Sequence, residues 1–102
     1  MGKEEGEIEK YLDQEVRKHG GFTRKYTSPG RRGVPDRIIF WEGVAFAEIK
    51  TAVGELSVFQ KRELARMTDQ GAIVEVMTSK EDVDRYVADR VYSMELWRAY
   101  ER

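Results

Sequence analysis

Ile8, Leu12 and Val16 recur every four residues, and that stripe predicts an amphipathic helix from about Glu5 to His19. Gly20-Gly21 supplies its stop. Phe22 to Tyr26 alternates bulky and polar residues and reads as a strand, followed by a turn-rich loop, Thr27 to Gly33, with no periodicity. Two short apolar runs come next, Arg37-Ile38-Ile39-Phe40 and Val44-Ala45-Phe46-Ala47, separated by Trp41-Glu42-Gly43. A three-residue connection ending in glycine predicts a β-hairpin, with Gly43 free to take the left-handed conformation. After a loop from Thr51 to Leu56, Ser57 and Gln60 have the spacing of a capping box opening a helix to about Gln70, and Gly71 ends it. Ala72 to Met77 is apolar-rich throughout, which predicts a strand central in its sheet. Ser79 caps a last helix beginning near Glu81, with Val83, Tyr86 and Val87 facing inward. Its pattern continues through Val91, Met94, Leu96 and Trp97 to Tyr100.

The order is helix, three strands, helix, strand, helix. A helix crossing from the third strand to the fourth implies a parallel pair at one side of the sheet. The class is α/β with a small mixed sheet.

Register carries the argument from fold to chemistry. Centring the hairpin on Glu42 sets Phe40 opposite Val44, Ile38 opposite Phe46 and Asp36 opposite Glu48. Side chains alternate along a strand, so these residues and Lys50 share one face. Two facing carboxylates repel, and a divalent cation between them is one way to make the arrangement favourable. The plainer alternative is a pair of surface acids with Lys50 as a salt-bridge partner. Hard oxygen donors suit Mg²⁺ or Mn²⁺. Lys50 stands where it could orient a water or stabilise charge on a phosphate oxygen.

Composition removes several alternatives. A chain of 102 residues, 40% hydrophobic and 36% charged, is expected to form one domain over residues 1–102. No apolar stretch is long enough to span a membrane, and the acidic N-terminus does not resemble a signal peptide, so a cytoplasmic location is expected. The absence of cysteine excludes zinc ribbons and thiol catalysis, and His19 is the single histidine. Neither a phosphate-binding glycine loop nor a serine–histidine–aspartate set can be assembled. The net charge of −1 gives no global pull toward nucleic acid. Locally, Arg24, Lys25, Arg31, Arg32 and Arg37 are interrupted by one acid only, Asp36, which makes this stretch a candidate phosphate contact or a solvated loop.

On the first helix, Glu5 and Glu9 fall on or beside the apolar stripe, and Glu7 points nearly the opposite way. Glu9 shares its face with Leu12 and Val16. A glutamate at the margin of a buried face needs a partner, either a metal or a neighbouring side chain. Gln60 has a structural role as the capping-box residue and sits near the inward face, within reach of the hairpin acids.

The runs Ser28-Pro29-Gly30-Arg31-Arg32-Gly33-Val34-Pro35-Asp36-Arg37, Ala47-Glu48-Ile49-Lys50 and Leu56-Ser57-Val58-Phe59-Gln60, in that order and spacing, resemble the signature of VRR-Nuc domains. These belong to the PD-(D/E)XK nuclease superfamily. The resemblance extends from Ile8 to Val83 and leaves the helical tail, residues 88–102, outside it. It implies a restriction-endonuclease-like αβββαβα core and a Mg²⁺- or Mn²⁺-dependent DNA endonuclease hydrolysing phosphodiester bonds. By resemblance, Asp36, Glu48 and the Ile49 carbonyl are metal ligands, Lys50 is the catalytic lysine and Gln60 completes the catalytic set. The helix acid of the family, a further metal ligand and catalytic residue, maps onto Glu9, with Glu5 in reserve. Small stand-alone members are similar to phage or prokaryotic enzymes that act on branched DNA such as four-way junctions, and they tend to be homodimers. The aromatic tail is then a candidate dimer contact. Two other readings keep the same fold: a DNA-binding module without turnover, and a small subunit whose aromatic tail serves a partner protein.

Overall fold

The computed structural model describes residues 3–51 and 54–101. Ala52 and Val53, within the expected Thr51–Leu56 loop, lie outside the described residues. The elements are α1 (Lys3–Arg17), β1 (Phe22–Lys25), β2 (Arg37–Phe40), β3 (Val44–Ile49), α2 (Val58–Asp69), β4 (Val74–Met77) and α3 (Lys80–Tyr100). Their order is the one expected. The four strands form one sheet in the order β1-β2-β3-β4, antiparallel except for the β3–β4 pair, which is parallel.

The hairpin has the expected register, with Ile38 opposite Phe46 and Phe40 opposite Val44. Strand pairing ends at Arg37 opposite Ala47, and Asp36, in a bend just before β2, lies close enough to Glu48 for its charge to be felt there. At the turn, both Glu42 and Gly43 take positive φ, 45° and 128°. Trp41, expected within the connection, belongs instead to the core: it is 4% exposed, stacks on His19 at 5.1 Å and meets Tyr86 edge-on.

The two sheet faces differ. Ile39, Trp41, Ala45, Ala47, Ile49 and Met77 point to one face and are buried under α1, through Ile8, Leu12 and Val16, and α3, through Val83, Tyr86 and Val87. The opposite face carries Ile38, Phe40 and Phe46, all half-buried, and α2 lies beside it near β4. Asp36, Glu48 and Lys50 belong to this second, more open face.

β4 corrects one expectation. It is an edge strand rather than a central one, with Val76 40% exposed. Its apolar run reflects helices on both sides: α3 covers the Met77 side and α2 packs toward the other. A continuous apolar strand reports that both faces are covered, and does not distinguish an edge from the middle of the sheet.

The predicted caps are present. Ser57 and Gln60 form a reciprocal capping box at α2, Gly71 follows its end with φ of 94°, and the Ser79 hydroxyl accepts from the Asp82 N–H at α3. α3 is one unbroken helix through the tail. Past Val87, Val91 and Met94 pack against the core while Tyr92, Leu96, Trp97 and Tyr100 are exposed. No helix among the described residues is long and apolar enough to cross a membrane.

Candidate active site

β2 starts and β3 finishes at the same end of the sheet, and this juxtaposition builds the site. Pro35 is buried immediately before Asp36, and the Tyr26 N–H donates to the Asp36 carbonyl at 2.8 Å, so the chain enters β2 tied to β1. Asp36 Oδ1 is buried with no hydrogen-bond partner among the described residues. Burial raises its pKa above the usual carboxylate range, and the Glu9 charge adds to the effect against Arg37. Glu48, 5% exposed, is pushed up to about 7, first by burial and then by the charge of Asp36, with Lys50 pulling the other way. Two acids that both resist ionisation, one with an unpartnered oxygen, form a site short of positive charge.

Two side chains support Glu48. Gln60 Nε2 donates to Glu48 Oε2 at 2.9 Å, while Gln60 Oε1 accepts from the Ser57 N–H at 2.8 Å. One carboxamide therefore completes the α2 cap and fixes the carboxylate, joining α2 to the acid pair. Lys50 Nζ lies 3.8 Å from the same Glu48 oxygen, a loose ion pair that leaves the ammonium able to engage another anion. The Ile49 side chain is buried on the opposite face, so only its backbone can serve the site.

Glu9 is 8% exposed, in keeping with its place on the helix face. Its Oε2 accepts from Arg37 Nη2 at 2.7 Å. Arg37 thereby departs from the expected set of DNA contacts: its side chain is largely buried in an internal ion pair, because its position in β2 points it toward α1 rather than toward solvent. The charge of Glu9 is felt at Asp36 and that of Glu5 at Glu48, so α1 turns both acids toward this end of the sheet. Glu7 is exposed.

The remaining basic residues stay on the surface. Arg24 lies over the Phe22 ring and Lys25 is exposed at the end of β1. Arg31 pairs with Glu63 at 2.7 Å, and the Arg32 guanidinium sits 4.8 Å from the Phe59 ring centroid. Gly33, with φ of 82°, brings the loop against α2 so closely that a Cβ there would come 2.3 Å from the Phe59 carbonyl oxygen. Sequence reasoning missed this contribution of α2. The available signal was the i, i+3, i+4, i+7 spacing of Phe59, Arg62, Glu63 and Arg66, a face with one aromatic and three charges.

No family model matches the chain. A curated protein of Acyrthosiphon pisum secondary endosymbiont phage 1, named "Putative nuclease p44", is 43% identical over 79 residues, covering 76% of this chain and 85% of that protein. A solved structure described as a VRR_NUC domain superimposes with a TM-score of 0.78 at 31% identity, covering 85% of this chain and 97% of that one. The chain belongs to the VRR-Nuc family.

Within this VRR-Nuc domain, the donor set suits a hard divalent cation. The acids are buried enough to resist ionisation, the charge of Asp36 acts on Glu48, and Asp36 holds an oxygen with no partner among the described residues. No cluster of three or more acidic, histidine or cysteine side chains with metal-binding spacing occurs among the described residues. The fit therefore rests on Asp36 and Glu48, and one or two carboxylates with retained waters are what Mg²⁺ ordinarily requires.

Proposed function

We propose that this VRR-Nuc chain is a Mg²⁺- or Mn²⁺-dependent DNA endonuclease that hydrolyses phosphodiester bonds and favours branched DNA such as four-way junctions. One observation carries the reading: Asp36 and Glu48 lie together at one end of the hairpin with raised pKa values, the charge of Asp36 acting on Glu48, and Lys50 stands beside Glu48. A cation held by Asp36, Glu48 and the Ile49 carbonyl would supply charge neutralisation for an attacking water and a phosphoryl oxygen. The chain's own residues do the rest. Lys50 directs its ammonium at negative charge building on the phosphate and orients the attacking water. Gln60 locks the Glu48 rotamer, a role of the kind that supporting hydrogen bonds play around metal ligands. Glu9, held by Arg37, places a third negative charge near Asp36. Arg24, Lys25, Arg31 and Arg32 engage the DNA backbone.

Membership of a nuclease family and the similarity to the phage protein support a nuclease. The preference for branches and the homodimer rest on the family resemblance, with the exposed Tyr92, Leu96, Trp97 and Tyr100 as the candidate dimer face. The test is cleavage of labelled four-way junctions, flaps, splayed arms and linear duplex, with Mg²⁺, Mn²⁺ or EDTA. Metal-dependent cuts at branches, absent in Asp36→Asn and Lys50→Ala, are expected. Equal cutting by both folded variants would refute the site, and binding without cutting would favour a DNA-binding module. Removal of residues 88–102 that leaves dimerisation and activity intact would refute the tail as interface.

A further inference from the structure

A groove of about 330 Å³ runs between the loop before β2 and the exposed face of α2. Its walls carry four arginines, Arg31, Arg32, Arg62 and Arg66, against one acid, Glu63. For a chain of net charge −1, this is a marked local concentration of positive charge. Arg62 and Arg66 stand four apart on α2, where like charges repel by a few tenths of a kcal/mol. Neither has an ion-pair partner among the described residues, and both are exposed. The other wall is ordered: Glu63 Oε1 accepts from both Nε and Nη2 of Arg31 at 3.1 and 2.7 Å, and Arg32 lies over the half-exposed Phe59 ring.

The groove is fixed to the acid site. Gly33 abuts the backbone of Phe59 and Gln60, and the Gln60 side chain holds Glu48. Along α2, Arg66 is six residues beyond Gln60, roughly 9 Å of rise at 1.5 Å per residue. At 100° per residue, Arg62 and Arg66 leave α2 about 160° and 120° away from Gln60, so the groove lies round the helix from the acid pair, where the arms of a branched substrate rather than the scissile phosphate would meet it.

We propose that this groove is a contact for the DNA backbone outside the cut, and that Arg62 and Arg66 each meet a DNA phosphate there. The proposal rests on the endonuclease reading above and adds two residues on α2 to its DNA contacts. Arg31 and Arg32, anchored by Glu63 and Phe59, form the opposite wall. Glu63 tempers the charge so that Arg31 is held in place when DNA is absent.

The experiment measures binding of a fluorescent four-way junction in EDTA from 50 to 200 mM salt, with wild-type protein, Arg62→Gln/Arg66→Gln and Arg62→Lys/Arg66→Lys. Each phosphate contact contributes about 0.9 to the slope of log affinity against log salt. The glutamine double variant should lose about 2 from that slope, so that over the fourfold salt range wild-type affinity falls roughly tenfold more than that of the variant. The lysine double variant should keep the wild-type slope. Arg85→Gln, an exposed arginine on α3, should leave slope and affinity unchanged. An unaltered slope in the glutamine variant, with or without weaker binding, overturns the groove assignment. Wild-type protein that neither binds nor cuts any branched or linear DNA overturns the endonuclease reading instead, and cleavage by wild type separates the two failures.

Discussion

Replacing Glu48 with glutamine should make the metal-free protein more stable at pH 8 while abolishing its proposed activity. The ordinary glutamate pKa is 4.5, and burial together with Asp36 pushes that of Glu48 up to about 7. A carboxyl group with a raised pKa contributes stability that is fully present below pH 4.5 and is lost as pH rises through about 7. At ~1.36 kcal/mol per pH unit, the interval corresponds to a loss of roughly 3 kcal/mol by pH 8. Glutamine keeps the shape, offers an amide oxygen to Gln60 Nε2, and carries no charge against Asp36. The variant should therefore lie within about 1 kcal/mol of wild type at pH 5 and exceed it by roughly 3 kcal/mol at pH 8. For a domain of this size that is a rise in Tm on the order of 10 °C. Thermal and urea denaturation in EDTA at pH 5, 6, 7 and 8 measures it. Asp36, also raised by burial and Glu9, is present in both proteins, and losing the Glu48 charge can only ease its ionisation, which adds to the gain at pH 8 rather than opposing it. Asp13 and Asp82 have lowered values and titrate below this window, while Glu75, raised by burial and Asp89, is common to both proteins. A variant as pH-sensitive as wild type, or less stable at pH 8, would refute the electrostatic reading of the site.

Arg37→Ala leaves Glu9 buried without a partner and should cost about 3 kcal/mol, measured by urea denaturation; Glu9→Gln in the same background should recover part of that loss. Gln60→Ala removes the capping-box carboxamide and the bond to Glu48 together, for a loss of about 1–2 kcal/mol. Gln60→Glu should retain the cap yet weaken divalent-metal-free stability at pH 8, because it turns a donor into a third acid. Gly33→Ala meets the Phe59 carbonyl and a left-handed φ at once, and should destabilise by more than about 2 kcal/mol, whereas Gly30→Ala, with φ of 76° but open space around it, should cost about 1 kcal/mol.

The fold was legible where local chemistry and periodicity agreed. The Ser57–Gln60 box, the Ile8-Leu12-Val16 stripe and the glycine stops lie within a few residues of the elements they define. The hairpin register was legible too, because a short turn and alternating side chains leave few ways to pair Ile38 with Phe46. Sequence order did not reveal long-range partners. Trp41 lies beside a tight turn, yet it faces the core because it continues the Arg37, Ile39 alternation of β2. Arg37 belongs to a basic stretch, yet the same alternation turns it to α1 and Glu9. The apolar run of β4 reported covered faces without telling where the strand sat in the sheet. In the candidate site, the acid pair and Lys50 followed from register, whereas the groove formed by α2 depended on how the 28–33 loop packs, which Gly33 permits and periodicity does not encode.

The central claim is that Asp36 and Glu48 together form the divalent cation site. Calorimetric titration of Mn²⁺ into the metal-free protein at pH 7 tests it most directly. Wild type should bind saturably and release protons, since part of the Glu48 population is protonated at that pH, and Asp36→Asn and Glu48→Gln should each weaken binding by tenfold or more. Equal affinity in wild type and both variants would contradict the account.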